Sequence, residues 1–169
     1  SFSALGATDI ILAFEQSFES NAIGWVVTND ASTTSGQWER GNPTGNSTRG
    51  EPGSAASGNF CLLTENANGN FDIDGGCTTI TSPVIDASTP GSTVSYARWF
   101  DNTGAGSGAD PSNDLMTVEV TDGTSGWTTL EVVGPVSQSA GGWYDVSFLV
   151  SDFVENTTSF RIRFTACDL

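Results

Sequence analysis

Residues 70–83 hold the side chains of this sequence that are best placed to do chemistry. Asn70, Asp72 and Asp74 alternate and run into a Gly-Gly turn, so three oxygen-bearing side chains can curve around one hard cation. Oxygen ligands in a loop are what Ca²⁺ prefers. Thr81 stands where an EF-hand loop would end in a glutamate, and the EF-hand is excluded because no helices are predicted to flank the site. The pattern predicts a structural Ca²⁺ site of another kind, with a solvated acidic turn as the alternative.

The three cysteines bear on the compartment of the protein. Cys61 and Cys77 lie on successive predicted strands joined by an acidic loop, which favours a disulfide between them; the alternative is two small buried thiols. Cys167 is then left over, with a partner that is intermolecular or absent. A disulfide is typical of oxidising compartments. We therefore predict an extracellular or cell-surface location.

The composition excludes several classes of function. The chain has 169 residues, twenty acidic against five basic ones, a formal charge of -15 and no histidine. Such an acidic surface repels nucleic acid and anionic lipid, and no apolar run approaches the roughly 20 residues of a membrane span. Without histidine, neither a Ser-His-Asp triad nor a histidine-ligated zinc site can form. Acidic side chains in loops are more often solvated than catalytic, so we predict no enzyme, although carboxylates for a glycosidase exist at Glu65, Asp101, Asp110 and Asp114.

The elements that must position these residues are strands and turns. Apolar residues alternate with polar ones, and β-branched and aromatic residues are enriched, in residues 93–100, 115–120, 127–133, 143–150 and 159–164. In the last of these, Phe160, Ile162 and Phe164 are predicted to face the core. The apolar run at residues 10–14 also predicts a strand, and no helix is predicted. Many short strands with turn signals between them indicate a β-sandwich or barrel.

Two long loops interrupt this pattern, at residues 33–59 and 102–113, and loops of this length are usually functional or disordered. Trp38 and Glu39 combine an aromatic ring with a polar group, so they could bind a sugar. Asp101, at the start of the second loop, is the third predicted ligand-binding residue. The alternative for Trp38 is that its ring closes one end of the sandwich.

A series of motifs, in a fairly specific order from about Phe14 to Asp168, resembles one family. The family is the jelly-roll accessory domains of secreted bacterial proteins, attached to immune-inhibitor-A-like and carboxypeptidase-like metalloproteases and akin to MAM and cleaved-adhesin domains. The motifs are Phe18-Glu19-Ser20 with Gly24-Trp25, Gln37-Trp38-Glu39-Arg40-Gly41, Asp72-Ile73-Asp74-Gly75-Gly76 with Thr81-Ser82-Pro83, Arg98-Trp99-Phe100-Asp101-Asn102, Val118-Glu119-Val120-Thr121-Asp122-Gly123, Gly142-Trp143 and Arg161-Ile162-Arg163-Phe164.

The resemblance implies an all-β jelly-roll sandwich of antiparallel strands with long loops. It implies a non-catalytic domain that holds structural Ca²⁺ and serves adhesion, with Glu19 as one Ca²⁺ ligand beside acids on a further strand. That strand would follow Arg161-Ile162-Arg163-Phe164, whereas this sequence stops at Leu169. The last strand of the family is therefore missing here, and we expect a groove of unpaired backbone groups beside Phe164.

These observations predict an N-terminal arm over residues 1–9 and a jelly-roll domain over residues 10–169. The predicted function is a Ca²⁺-stabilised extracellular adhesion or binding module that recognises polysaccharide or a surface protein. The alternative is a structural subunit of an extracellular filament, completed by donor-strand exchange with other copies of the same chain. Residues 1–8 are the candidate donor, either for their own domain or for a neighbour.

Overall fold

The computed structural model describes residues 11–45, 50–67, 72–103 and 113–169. Asn70, one of the predicted Ca²⁺ ligands, therefore lies outside the described residues, as does Asp110. Within the described ranges the chain forms β1 (Val26–Asn29), β2 (Trp38–Gly41), β3 (Cys61–Thr64), β4 (Cys77–Thr81), β5 (Thr93–Arg98), β6 (Leu115–Thr121), β7 (Thr128–Val133), β8 (Tyr144–Leu149) and β9 (Arg161–Cys167).

The strands form one large sheet and two separate two-stranded pairs, all antiparallel. The large sheet has five strands in the order β1-β4-β9-β6-β7, while β2 pairs with β3 and β5 pairs with β8. One short 3₁₀ helix, Val150–Asp152, follows β8. None of the helices in the described part has the length and hydropathy of a membrane span.

Alternation of side chains explains the core. On β6, Met116, Val118 and Val120 are buried on one face of the sheet, and on β9 Ile162 lies on the same face. Arg161 at the start of β9 is exposed, as its outward position in the alternation predicts. Phe160, just before β9, is fully buried in the same cluster. The strands predicted by period-two alternation are thus confirmed for β5 to β9.

The two smaller pairs cover this apolar face of the large sheet. Val94 and Tyr96 of β5 pack against the core cluster, and the Tyr96 ring meets Phe164 edge-on at 5.1 Å between centroids. The β2–β3 pair lies over β4, because Trp38 donates its indole N–H to the carbonyl of Thr78 at 3.1 Å. The register places Thr78 opposite Ala166 and Ile80 opposite Phe164, so both pairs cover the same face. The arrangement is nearly all β, as predicted, and is consistent with a β-sandwich.

The predicted disulfide between Cys61 and Cys77 is wrong. Cys77 bonds to Cys167, its direct cross-strand neighbour in the β4–β9 register, 90 residues away in sequence. Cys61 forms no disulfide, because β3 pairs with β2 and not with β4. The presence of a disulfide is confirmed, and it indicates a compartment outside the reducing cytoplasm.

The expected gap beside the last strand is also absent. The two neighbours of β9 are β4 and β6, so backbone groups around Phe164 pair on both sides. The predicted strand at residues 10–14 does not form over its described part either, because residues 11–14 belong to no strand. In the other layer, β3 and β5 each have one paired neighbour within the described ranges.

Candidate functional site

A cleft of about 1300 Å³ opens between the β2–β3 pair and the β5–β8 pair; we call it the open cleft. All of β3 forms one wall and all of β5 forms the other. Side chains from the inner face of the large sheet form its floor: Ile80, Met116, Ile162, Phe164 and Ala166. The cleft is larger than the roughly 300–1,000 Å³ of small-molecule sites and is mostly apolar, so it suits a segment of polypeptide.

Both walls of the open cleft are strand edges. In the described ranges, β3 pairs with β2 alone and β5 pairs with β8 alone, so each strand has one edge toward the cleft without a neighbouring strand. Backbone N–H and C=O groups on such an edge are a template for another strand. The two edges face one cleft with an apolar floor, and that is the environment of a central strand in a sandwich layer.

Two polar atoms at the cleft are buried without a hydrogen-bond partner in the described part of the molecule. They are Nε1 of Trp25 and Nη1 of Arg98, and both residues line the cleft. Both atoms are donors, and a buried donor without an acceptor costs roughly 1–3 kcal/mol.

The β5 wall is fixed to the large sheet by charge as well as by packing. Arg98 is 6% exposed and bonds to Glu131 of β7 through Nε and Nη2, both at 2.8 Å. Tyr96 donates its hydroxyl to the same carboxylate at 2.6 Å. Burial raises the pKa of Tyr96 far above its ordinary value, and the Glu131 carboxylate raises it further. These contacts therefore anchor the β5 wall to β7 of the large sheet.

Phe18 borders the cleft, and hydrogen bonds fix it and the adjacent Glu19 to β2 and to the residues before β3. Arg40 of β2 donates to the backbone carbonyls of both residues. The Glu19 carboxylate accepts the backbone N–H groups of Phe60 and Asn59, both at 2.8 Å, and these hydrogen bonds lower its pKa. The predicted Ca²⁺ ligand Glu19 thus joins the N-terminal segment to the start of β3.

The described part of the predicted Ca²⁺ loop, Asp72 to Asp74, also borders the open cleft and packs against the segment that precedes β2. Asp74 accepts the Ser35 hydroxyl at 2.7 Å and bonds the Thr34 backbone N–H through its carbonyl. The described residues contain no group of three or more acidic, cysteine or histidine side chains arranged for a metal. The assignment of Asp72 and Asp74 as Ca²⁺ ligands therefore stays a prediction. A melting temperature that chelator lowers in the natural chain, but not in Asp74→Ala, would support them.

Of the predicted sugar-binding residues, Trp38 and Asp101 line the open cleft, whereas Glu39 does not. Trp38 lines the cleft, yet its indole N–H and its backbone N–H both bond to Thr78. Glu39, on the exposed side of β2, accepts the Asn66 backbone N–H at 2.5 Å. Asp101 accepts both the backbone N–H and the hydroxyl of Thr103. The indole of Trp38 and the carboxylates of Glu39 and Asp101 therefore already form hydrogen bonds with neighbouring parts of the chain.

The sequence pattern did not identify β3 and β5 as cleft walls. The half-buried pattern of all four β3 residues, from Cys61 to Thr64, shows no clear alternation of buried and exposed positions. The sequence did contain one indication of an open strand position. The apolar run that begins at Ile10 has strand-forming residues but no evident strand with which to pair.

Comparisons with family models, with curated proteins and with solved structures found no significant match to this chain.

Proposed function

We propose that this protein is a non-catalytic extracellular module of jelly-roll type that works by accepting an extended polypeptide strand. One observation carries the proposal, the open cleft between the unpaired edges of β3 and β5. Strand addition to an open sheet edge is a common mode of peptide recognition, with affinity from main-chain hydrogen bonds and specificity from side-chain pockets. Of the two functions expected from the sequence, the structural subunit completed by strand exchange fits this site.

The chemistry of the cleft supports a peptide over a sugar. Its floor is made of aliphatic and aromatic side chains such as Ile80, Phe164 and Met116. The indole N–H of Trp38 already bonds to Thr78, so it does not offer a donor to a sugar hydroxyl. A strand with alternate apolar side chains would cover this floor and leave its other side chains toward solvent.

Binding of synthetic peptides tests the proposal. Labelled ten-residue peptides with alternating valine or leucine and threonine should bind the purified protein and protect β3 and β5 amides from hydrogen exchange. Peptides with proline at every second position are the matched control, because they lose all the N–H donors toward one edge and cannot pair with both β3 and β5.

A charge in the cleft provides a second control. Leu62→Lys places an ammonium group on the β3 wall and should weaken peptide binding at least tenfold, whereas Val132→Lys, at a 52% exposed site on β7, should not. Circular dichroism and melting curves show whether each variant is folded. If the alternating and the proline peptides bind equally, or bind without protecting β3 and β5, the cleft is not a strand acceptor.

A further inference from the structure

We propose that the strand that fills the open cleft is the N-terminal segment of a second copy of this chain, residues 1–14. This inference rests on the proposed function, because it names the occupant of the same cleft. Copies joined in this way would form an assembly in which each domain donates one segment and accepts another.

The first support is the place at which the described chain begins. Residues 11–18 border the open cleft, and Phe18 and Glu19 are fixed to β2 and to the start of β3. Ten further residues precede Ile11 in the sequence. Fully extended, ten residues reach about 33 Å, whereas the six residues of β5 cover about 20 Å. The segment is therefore long enough to fill a cleft and to leave a short link between two copies.

The second support is a segment that has strand-forming residues without a strand partner. Residues 11–15 are all exposed although they border an apolar cleft, and none of them belongs to a strand. Ile11 is 86% exposed, Leu12 67% and Phe14 38%. Contiguous exposed apolar side chains usually mark an interaction site. The chain does not bury these side chains in its own cleft, and this favours a cleft on another copy.

The third support is charge. Acidic side chains surround the cleft, among them Asp86, Asp101 and Glu65, in a chain of net charge -15. Residues 1–14 contain Asp9 as their one charged side chain. An occupant with several acidic groups would be repelled from this rim, whereas a nearly uncharged apolar segment is not.

The geometry also determines the kind of assembly. The donated segment and the accepting cleft are different surfaces of one chain, so the contact is heterologous. A heterologous contact continues from copy to copy unless its rotation closes a ring. We therefore expect linear filaments or closed rings, of which a reciprocally exchanged dimer is the smallest.

Cysteine crosslinking in the full-length chain tests this proposal, because the thiol of Cys61 lies on the β3 wall and forms no disulfide. Cysteine is introduced singly at Ser3, Ala4, Ala7 and Thr8, which covers both faces of an extended segment. Burial raises the pKa of Cys61, so oxidation is run at mildly alkaline pH with a copper catalyst. We expect a ladder of disulfide-linked multimers on non-reducing gels from at least one variant.

The control variants carry Cys61→Ser in addition to each new cysteine, and they should lose the ladder. A free peptide of residues 1–14, added in excess, should compete with crosslinking and shorten the assemblies seen by electron microscopy. A monomer that loses both thiols would show that the segment fills its own cleft, and this would overturn the proposal. An absence of any Cys61 crosslink would overturn it as well.

The outcome separates this inference from the proposed function. If alternating peptides bind between β3 and β5 but the peptide of residues 1–14 does not, the cleft accepts a strand and its natural donor is a different protein. If neither kind of peptide binds, the proposed function itself fails.

Discussion

The two layers of this protein are built from similar strands, yet one layer is continuous and the other is divided. In the five-stranded sheet, β9 lies between β4 and β6, and a disulfide joins Cys77 to Cys167 across one of these pairings. In the other layer, β3 and β5 each have one partner, and a cleft of about 1300 Å³ separates them. The comparison teaches that strand-forming sequence does not by itself close a sheet, because each edge also needs a neighbour.

The burial of side chains follows the same division. Val118, Val120 and Phe160 in and beside the continuous sheet are 0% exposed. All four residues of β3 are only partly buried. A side chain on a continuous sheet is covered from both sides by neighbouring strands, whereas one beside the cleft lacks that cover on one side. Four predictions test this difference, from the largest expected effect to the smallest.

The first prediction compares truncation in the two layers. Phe160→Ala should lower the free energy of unfolding by about 3–5 kcal/mol, because it leaves a cavity in a fully packed core. Leu62→Ala on the cleft wall should cost about 1 kcal/mol, since its surroundings are already open. Urea denaturation measures both values at a concentration where the protein is monomeric. Equal losses would mean that the β3 wall is as tightly packed as the core.

The second prediction concerns the two kinds of cysteine. The double variant Cys77→Ser, Cys167→Ser should lose about 2–4 kcal/mol of stability, because the disulfide closes a loop of 90 residues in the unfolded chain. Cys61→Ser is the matched control and should lose less than about 1 kcal/mol. Reducing agent should lower the melting temperature of the natural chain toward that of the double variant. If reduction has no effect, the continuous sheet does not depend on its disulfide.

The third prediction addresses the ion pair that joins β5 to the large sheet. Glu131→Gln should lower the free energy of unfolding by about 2 kcal/mol, because it leaves the nearly buried guanidinium of Arg98 without its charged partner. Glu119→Gln, which breaks the more exposed pair with Arg163, should cost less than about 1 kcal/mol. Thermal unfolding at two salt concentrations measures both losses. A larger loss from Glu119→Gln would contradict the role of Arg98 as the support of the cleft wall.

The fourth prediction is a dependence on acid. Asp122, in the turn after β6, accepts the backbone N–H groups of Ser125 and Thr124, and these hydrogen bonds hold its pKa well below the ordinary value. A depressed pKa in the folded state means that the stabilisation is complete above the unfolded pKa, near 4, and is lost as the pH falls below it. The melting temperature should therefore fall below pH 4, and less steeply in Asp122→Ala.

Glu19, which bonds to the residues before β3, provides a comparison within the same experiment. Its pKa is lowered in the same direction by the N–H groups of Phe60 and Asn59. Glu19→Ala should reduce the acid dependence by a smaller amount than Asp122→Ala, because the shift of Asp122 is the larger one. A natural chain whose melting temperature is constant from pH 6 to pH 3 would contradict both statements.

Much of the local structure was predictable from the sequence. The alternation of Phe160, Ile162 and Phe164 with arginines correctly predicted a strand with one face toward the core. Between β6 and β7, Gly123 and Gly126 have φ of 88° and 86°, a region that other residues rarely adopt. These features are local, since they depend on residues within one or two strand lengths.

The candidate site was less predictable, because it depends on which strands become neighbours. Cys61 and Cys77 were paired on the ground that they are close in sequence, whereas the sheet places Cys77 beside Cys167. The sequence predicts a strand edge without a neighbour beside Phe164. In the structure, β9, which contains Phe164, lies between β4 and β6 in the large sheet. Sequence proximity was a poor guide in both cases, since antiparallel sheets often join distant segments.

The sequence by itself determined that this chain is made of β-strands, which faces of β6 and β9 are apolar, and that its surface is strongly acidic. The tertiary structure alone decided the order β1-β4-β9-β6-β7, the disulfide partner and the position of the open cleft. The physical reason is that the period of a strand is written in adjacent residues. The neighbour of a strand is selected instead by burial and backbone pairing across the whole chain.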